Sequence, residues 1–166
     1  IIGSKCPEVD ESLPHKFWMV NIGSGMINNE QYCPMYTDDP HSSTYAHLYI
    51  QPEYESKVDV AKVGDRFDDM YETITANFGE PVLTAENEYN GEEKVTILLI
   101  DIVDGFDGVI NTTYVGGYFY SVDYLSQSSL EDEGYSDKSN EQAILYIDVD
   151  PTDPESDDIH STVAHE

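Results

Sequence analysis

The sequence predicts an α+β fold, a mixed β-sheet packed by one long helix and a truncated terminal helix. Three observations carry this. Residues 57–78 place Val60, Val63, Phe67, Met70, Ile74 and Phe78 at three- and four-residue steps on one face, the period of an amphipathic helix. Residues 94–102 form a nearly continuous Val- and Ile-rich run, the mark of a strand buried on both faces in mid-sheet. Shorter apolar runs with turn residues between them are interleaved with these two segments, so strands and helices share one layered core.

The elements follow in order. Residues 1–16 carry Pro7, Pro14 and scattered charge without a period and read as an irregular lead-in. Phe17 to Ile22 reads as a strand, ended by Gly23-Ser24-Gly25. Thr44 to Ile50 alternates and is rich in aromatic and β-branched residues, which fits a strand with one buried face. For the long helix, Ser56 is the expected cap, and Gly79 followed by Pro81 is the expected stop. Val115 to Tyr120 is a further strand, opened by Gly116-Gly117, where missing side chains let another backbone approach. Residues 121–140 are rich in Ser, Asp and Gly and read as a long surface loop. Ala143 to Val149 is the last strand, and residues 150–158 form an acidic turn. Asp153 and Pro154 then supply the cap and first-turn proline of a terminal helix. Residues 1–56 form a loosely patterned region of strands and loops and residues 57–166 the better patterned part, within one compact domain.

Charge limits the function. The 34 Asp and Glu residues face 7 Lys and Arg, and the net charge of −27 repels nucleic acid and anionic lipid. Such a surface suits saline or calcium-containing surroundings outside a cell, and it also serves plain solubility. No stretch approaches the roughly 18 to 20 apolar residues that cross a bilayer. Two cysteines, Cys6 and Cys33, are too few for a disulfide scaffold and allow one bridge. The first residues, Ile1-Ile2-Gly3, lack an initiating Met, as expected where a leader or pro-segment has been removed or where the chain has been trimmed. Asn111-Thr112-Thr113 is a glycosylation sequon.

The chemistry-bearing motif is Ala164-His165-Glu166, the opening half of His-Glu-x-x-His, by which a helix offers two histidines to zinc and a glutamate to water. Residues Asn77-Phe78-Gly79-Glu80-Pro81, the strand at 94–102, Gly116-Gly117-Tyr118-Phe119, residues 140–148 and Ser161 to Glu166 stand in a characteristic order. Together they resemble the amino-terminal half of secreted bacterial zinc metallopeptidases of the hyicolysin-like group within the zincins. The likeness covers roughly the last two thirds of the chain. It implies a zincin-like amino-terminal subdomain whose sheet carries the active-site helix and whose exposed strand receives peptide. His165 matches the first zinc ligand and Glu166 the catalytic carboxylate.

The departure is that the second histidine would fall four positions beyond His165, past Glu166. Catalytic zinc takes three protein ligands and lowers the pKa of bound water to about 7. One histidine holds zinc weakly, so these residues alone are expected to be inactive until the missing half completes the site and peptide substrate can be turned over.

Two Asp-rich loops are calcium candidates: Asp101, Asp104 and Asp107 with Gly105 and Gly108, and Asp148, Asp150, Asp153, Asp157 and Asp158. Neither follows EF-hand spacing, and each also reads as a solvated turn. Residues 86–92 stand where, by the resemblance, the related peptidases often have a denser Asp-Gly loop, and here look degenerate. His15, His41, His47 and His160 read as structural or surface residues, since His160 lies about 140° round a helix from His165. Three readings follow: an incomplete secreted zinc endopeptidase, an acidic extracellular structural subunit that pairs with a neighbouring copy through an exposed sheet edge, and a calcium-dependent binding module.

Overall fold

The computed structural model describes residues 5–24, 31–79 and 94–157. It forms three layers, a helix, a five-stranded sheet and a two-stranded hairpin, with apolar contacts filling both interfaces.

The hairpin pairs β1 (His15–Val20) with β2 (Tyr32–Thr37) antiparallel. Both strands alternate, so Phe17, Met19, Cys33 and Met35 turn inward against the sheet. β1 begins two residues before the predicted strand, and Ile22–Ser24 is a 3-10 turn rather than its continuation. β2 had no counterpart in the sequence reading: Pro34 lacks a strand donor, which a two-stranded sheet tolerates. Cys6 and Cys33 are bonded, fastening the otherwise irregular lead-in to β2.

In the main sheet the order is β3 (His41–Ser42), β4 (Ala46–Ile50), β5 (Val95–Ile100), β7 (Ile144–Asp148), β6 (Gly117–Phe119). β4, β5 and β7 run parallel, while the two short outer strands run antiparallel to their neighbours. All six residues of β5 are buried. Its unbroken apolar run is what a central strand needs when the helix covers one face and the hairpin the other. Leu98 and Ile100 face the hairpin, whereas Ile97 and Leu99 face the helix.

α1 (Val60–Phe78) crosses from β4 back to β5. Its cap is Asp59, which accepts from the Lys62 amide, so the helix starts later than a Ser56 cap would place it. Gly79 ends it at φ +88°, a conformation that favours glycine. Val60, Val63, Phe67 and Met70 pack on the sheet as their spacing predicts. Phe78 does not: it is 86% exposed.

Residues 121–140 are more ordered than the expected loop. A 3-10 turn at Ser121–Tyr124 precedes α2 (Gln127–Asp132), capped by Ser126 accepting from the Ser129 amide and anchored by buried Leu130. Asp153 caps no helix within the described residues. Its carboxylate accepts from the Glu155 amide and its carbonyl from Ser156, closing a turn. The expected terminal helix, with Ile159, His160, Val163, His165 and Glu166, lies outside the described residues, as does the 86–92 segment. No helix among the described residues is long and apolar enough to cross a membrane.

Candidate functional site

Parallel β4, β5 and β7 deliver their carboxyl ends to one rim of the sheet. There the chain places Gln51 and Tyr54 after β4, Asp101 after β5, and Asp148 and Asp150 at the end of β7. Gln51 donates its backbone N–H to Leu99 and accepts the Asp101 amide on its side-chain oxygen at 3.0 Å, fixing the end of β5. The Tyr54 hydroxyl lies 3.2 Å from an Asp101 oxygen and 3.3 Å from an Asp150 oxygen. It has one proton to donate, so two ionised carboxylates cannot both be satisfied by it.

Burial, reinforced by the charges of Asp148, Asp150 and Asp104, pushes Asp101 up to about 6 against the opposing effect of the Tyr54 hydrogen bond. Burial also raises Asp148, although its carboxylate accepts the Ile102 and Thr152 amides. A cavity of about 360 Å³ opens beside Asp101, lined also by Lys5, Gln51, Asp104 and Phe106. A carboxyl group titrating near 6 at the wall of a cavity can take up and release a proton close to neutral pH.

Of the three calcium candidates in the first Asp-rich loop, only Asp101 belongs to this carboxylate group, where it meets Asp148 and Asp150 of the second loop. Asp104 accepts the Phe106 amide on one oxygen and the Val115 amide on the other. One oxygen of Asp107 accepts the amides of Val109, Ile110 and Asn111, and these bonds hold its carboxyl below the usual range. Both side chains thus shape the 101–116 connection by capping its own backbone. Among the described residues no group of three or more His, Cys, Asp or Glu side chains is arranged to hold a metal ion. The sequon residue Asn111 is folded into the same connection, its side-chain amide donating to the Gly105 carbonyl at 3.0 Å.

His15 lies 3.0 Å from Asp39, and His47 lies 2.7 Å from the Ser42 hydroxyl. The pairing of Tyr54 with Asp101 and Asp150 escaped sequence reasoning, because it joins residues 47 and 96 positions apart and no local spacing encodes it.

A second polar group, also unseen in the sequence, lies between hairpin and sheet. Asp123, fully buried, accepts the Tyr146 hydroxyl at 2.5 Å and the Asn140 amide at 2.7 Å. Asn140 in turn accepts the Trp18 N–H at 2.8 Å and donates to the Trp18 carbonyl at 2.9 Å, acting as a one-residue strand along β1. Tyr118 stacks on Tyr146 with ring centres 4.3 Å apart. Burial drives Asp123 up to about 6 despite its two donors.

At the sheet margin, β6 pairs with β7 and with no other strand among the described residues. Compared with known proteins, the chain matches no family model and no curated protein.

Proposed function

We propose that the chain forms the amino-terminal part of a secreted zinc-dependent endopeptidase, with peptide substrate added as a strand along β6. The observation that carries this reading is the way the resembling segments sit in the fold. The helix ending at Phe78 is α1, and the next three described segments are β5, β6 and β7, neighbours in one sheet. β6 is a short antiparallel edge beside three parallel strands, a geometry suited to main-chain pairing with an extended peptide. The disulfide and the acidic composition suit an oxidising, saline exterior.

His165 and Glu166 are the matched pair, and the described residues gather no further ligand group. On this reading the second histidine is sought four positions past His165, and no step through the metal follows from the described side chains.

The test is zinc content and peptide hydrolysis on two proteins: the 166-residue chain and a chain carried through whatever follows Glu166 in its gene. The first should hold no stoichiometric zinc and cleave nothing. The second should do both, with Glu166→Gln retaining zinc but losing about 100-fold or more in rate, and His165→Ala losing both. A gene without histidine four positions past His165 would refute the reading.

A further inference from the structure

We propose that a cavity beside β1, bounded by Lys16, Trp18 and the 139–142 turn, binds an acidic sugar unit such as a uronic acid. This site is independent of the endopeptidase reading and lies on the hairpin side of the molecule.

The chain has 7 Lys and Arg against 34 acidic residues, so clustering of cations is informative. Two of them converge on one ring: the Lys16 ammonium lies 4.2 Å and that of Lys138 5.7 Å from the centre of Trp18. Lys16 also lies 5.5 Å from the Tyr36 ring, across the strand pair. Both ammonium groups are placed over aromatic rings rather than against a described carboxylate. Asp137, the acid next to Lys138, is turned toward the hydroxyls of Tyr32 and Tyr120. Two of the chain's few cations are therefore gathered on one aromatic ring of a strongly anionic protein.

A cavity of about 260 Å³ adjoins this pair, lined by His15, Lys16, Trp18, Asn140, Glu141 and Gln142 among others. Its floor is held rigidly, because Asn140 is bonded to both the N–H and the carbonyl of Trp18. Glu141 sits at φ +58°, the one non-glycine residue in left-handed backbone among the described residues, and its carboxylate accepts the Gln127 amide at 2.6 Å. Backbone held in this region persists only where its surroundings over-determine it.

The lining selects the ligand. Lys16 in the lining, with Lys138 near the same ring, calls for an anion, the Trp18 indole for an apolar contact, and Glu141 for hydroxyl donors. Bare phosphate satisfies the first and is repelled by the third, whereas a uronic acid satisfies all three. The volume suits a single ring. Because net charge repels polyanions, and physiological salt screens that repulsion only beyond about 8 Å, a ligand with one carboxylate per ring is favoured over a densely sulfated one.

Trp18 is the only tryptophan, so its fluorescence reports directly on the site. Titration of the intact, disulfide-bonded protein with tri-galacturonate should change Trp18 emission saturably, and the neutral trisaccharide should bind at least tenfold more weakly. The double variant Lys16→Gln, Lys138→Gln, with unchanged circular dichroism, should lose tenfold or more in affinity for the uronate. Equal binding of the neutral sugar, unchanged affinity in the double variant, or no binding by calorimetry would each overturn the proposal. So would concentration-dependent self-association in sedimentation that the double variant abolishes, which would assign the face to a second copy of the chain.

Discussion

At Asp123 a charge is confined among neutral donors. Both of its oxygens accept hydrogen bonds, from Tyr146 and from Asn140, and no cation lies within the group. Asp123→Ala leaves those two donors facing a void, and each unsatisfied buried group costs about 1 to 3 kcal/mol. The variant should therefore lose about 2 to 5 kcal/mol in chemical denaturation. Asp123→Asn behaves differently. Its carbonyl can accept the Asn140 amide, its NH2 can donate to the Tyr146 oxygen, and the phenol proton can turn to the Trp18 carbonyl 3.3 Å away. At pH 8, where the native carboxylate is ionised and desolvated, Asp123→Asn should fall within about 1 kcal/mol of the native protein. A loss as large as that of the alanine variant would show that charge, rather than hydrogen-bond count, holds the group together.

At the scale of elements, the join between α1 and the β3–β4 turn is the tightest. A Cβ on Gly64 would lie 3.1 Å from the Ser43 Cβ and 3.3 Å from a Leu48 methyl. Ser43 cannot retreat easily, because Asp68, one turn along α1, accepts its hydroxyl at 2.8 Å and also the amides of Thr44 and Tyr45. Gly64→Val adds a branched side chain into this contact, and overpacking of this kind costs about 1 to 3 kcal/mol. A thermal melt that rises in the variant would refute the close packing. The disulfide acts at the same scale. Cys6 and Cys33 are 27 positions apart, and closing a loop of that length restricts the unfolded chain by about 3 to 4 kcal/mol. Cys6→Ser with Cys33→Ser should lower denaturant stability by that order with an unchanged far-ultraviolet spectrum.

How much of these elements was legible depends on whether the signal was local. The stripe of α1 and the apolar run of β5 are periodic, and both stand within a few residues of where they were expected. Phe78 keeps the period yet is exposed, since periodicity marks a helical face and not what covers it. α2 is six residues long, too short to show a period, so its serine cap was absorbed into an apparent loop. β3 has two residues and is defined by pairing with β4 alone. The same limit applies to sites: Asp101 was visible as one acid among many, while Tyr54 and Asp150 become its partners only when parallel strands bring their ends together.

For the whole molecule, the buried acids set an acidic optimum. Asp101 and Asp123 both titrate near 6 in the fold, above the ordinary carboxylate value of about 3.9. The folded state therefore binds these protons more tightly than the unfolded chain. Their stabilising effect is fully present below the unfolded value and is lost as pH rises through about 6. Asp68 has the opposite sign: against the upward effect of burial, the Thr44 amide, the Ser43 hydroxyl and the Tyr45 amide together hold its carboxyl low, so its contribution is present above the unfolded value and lost as pH falls through the depressed one. The two trends meet just above the unfolded carboxylate value, which places maximal stability between roughly pH 4 and 5. A net charge of −27 at pH 7 adds self-repulsion on the alkaline side, and salt screens that repulsion over a length of about 8 to 10 Å. The melting temperature should thus peak between about pH 4 and 5. Sodium chloride should raise it more at pH 8 than at pH 5, where protonation has already removed part of the charge. A melting temperature that climbs steadily from pH 5 to pH 8 at low salt would mean that Asp101 and Asp123 are not held in the buried pairings found here.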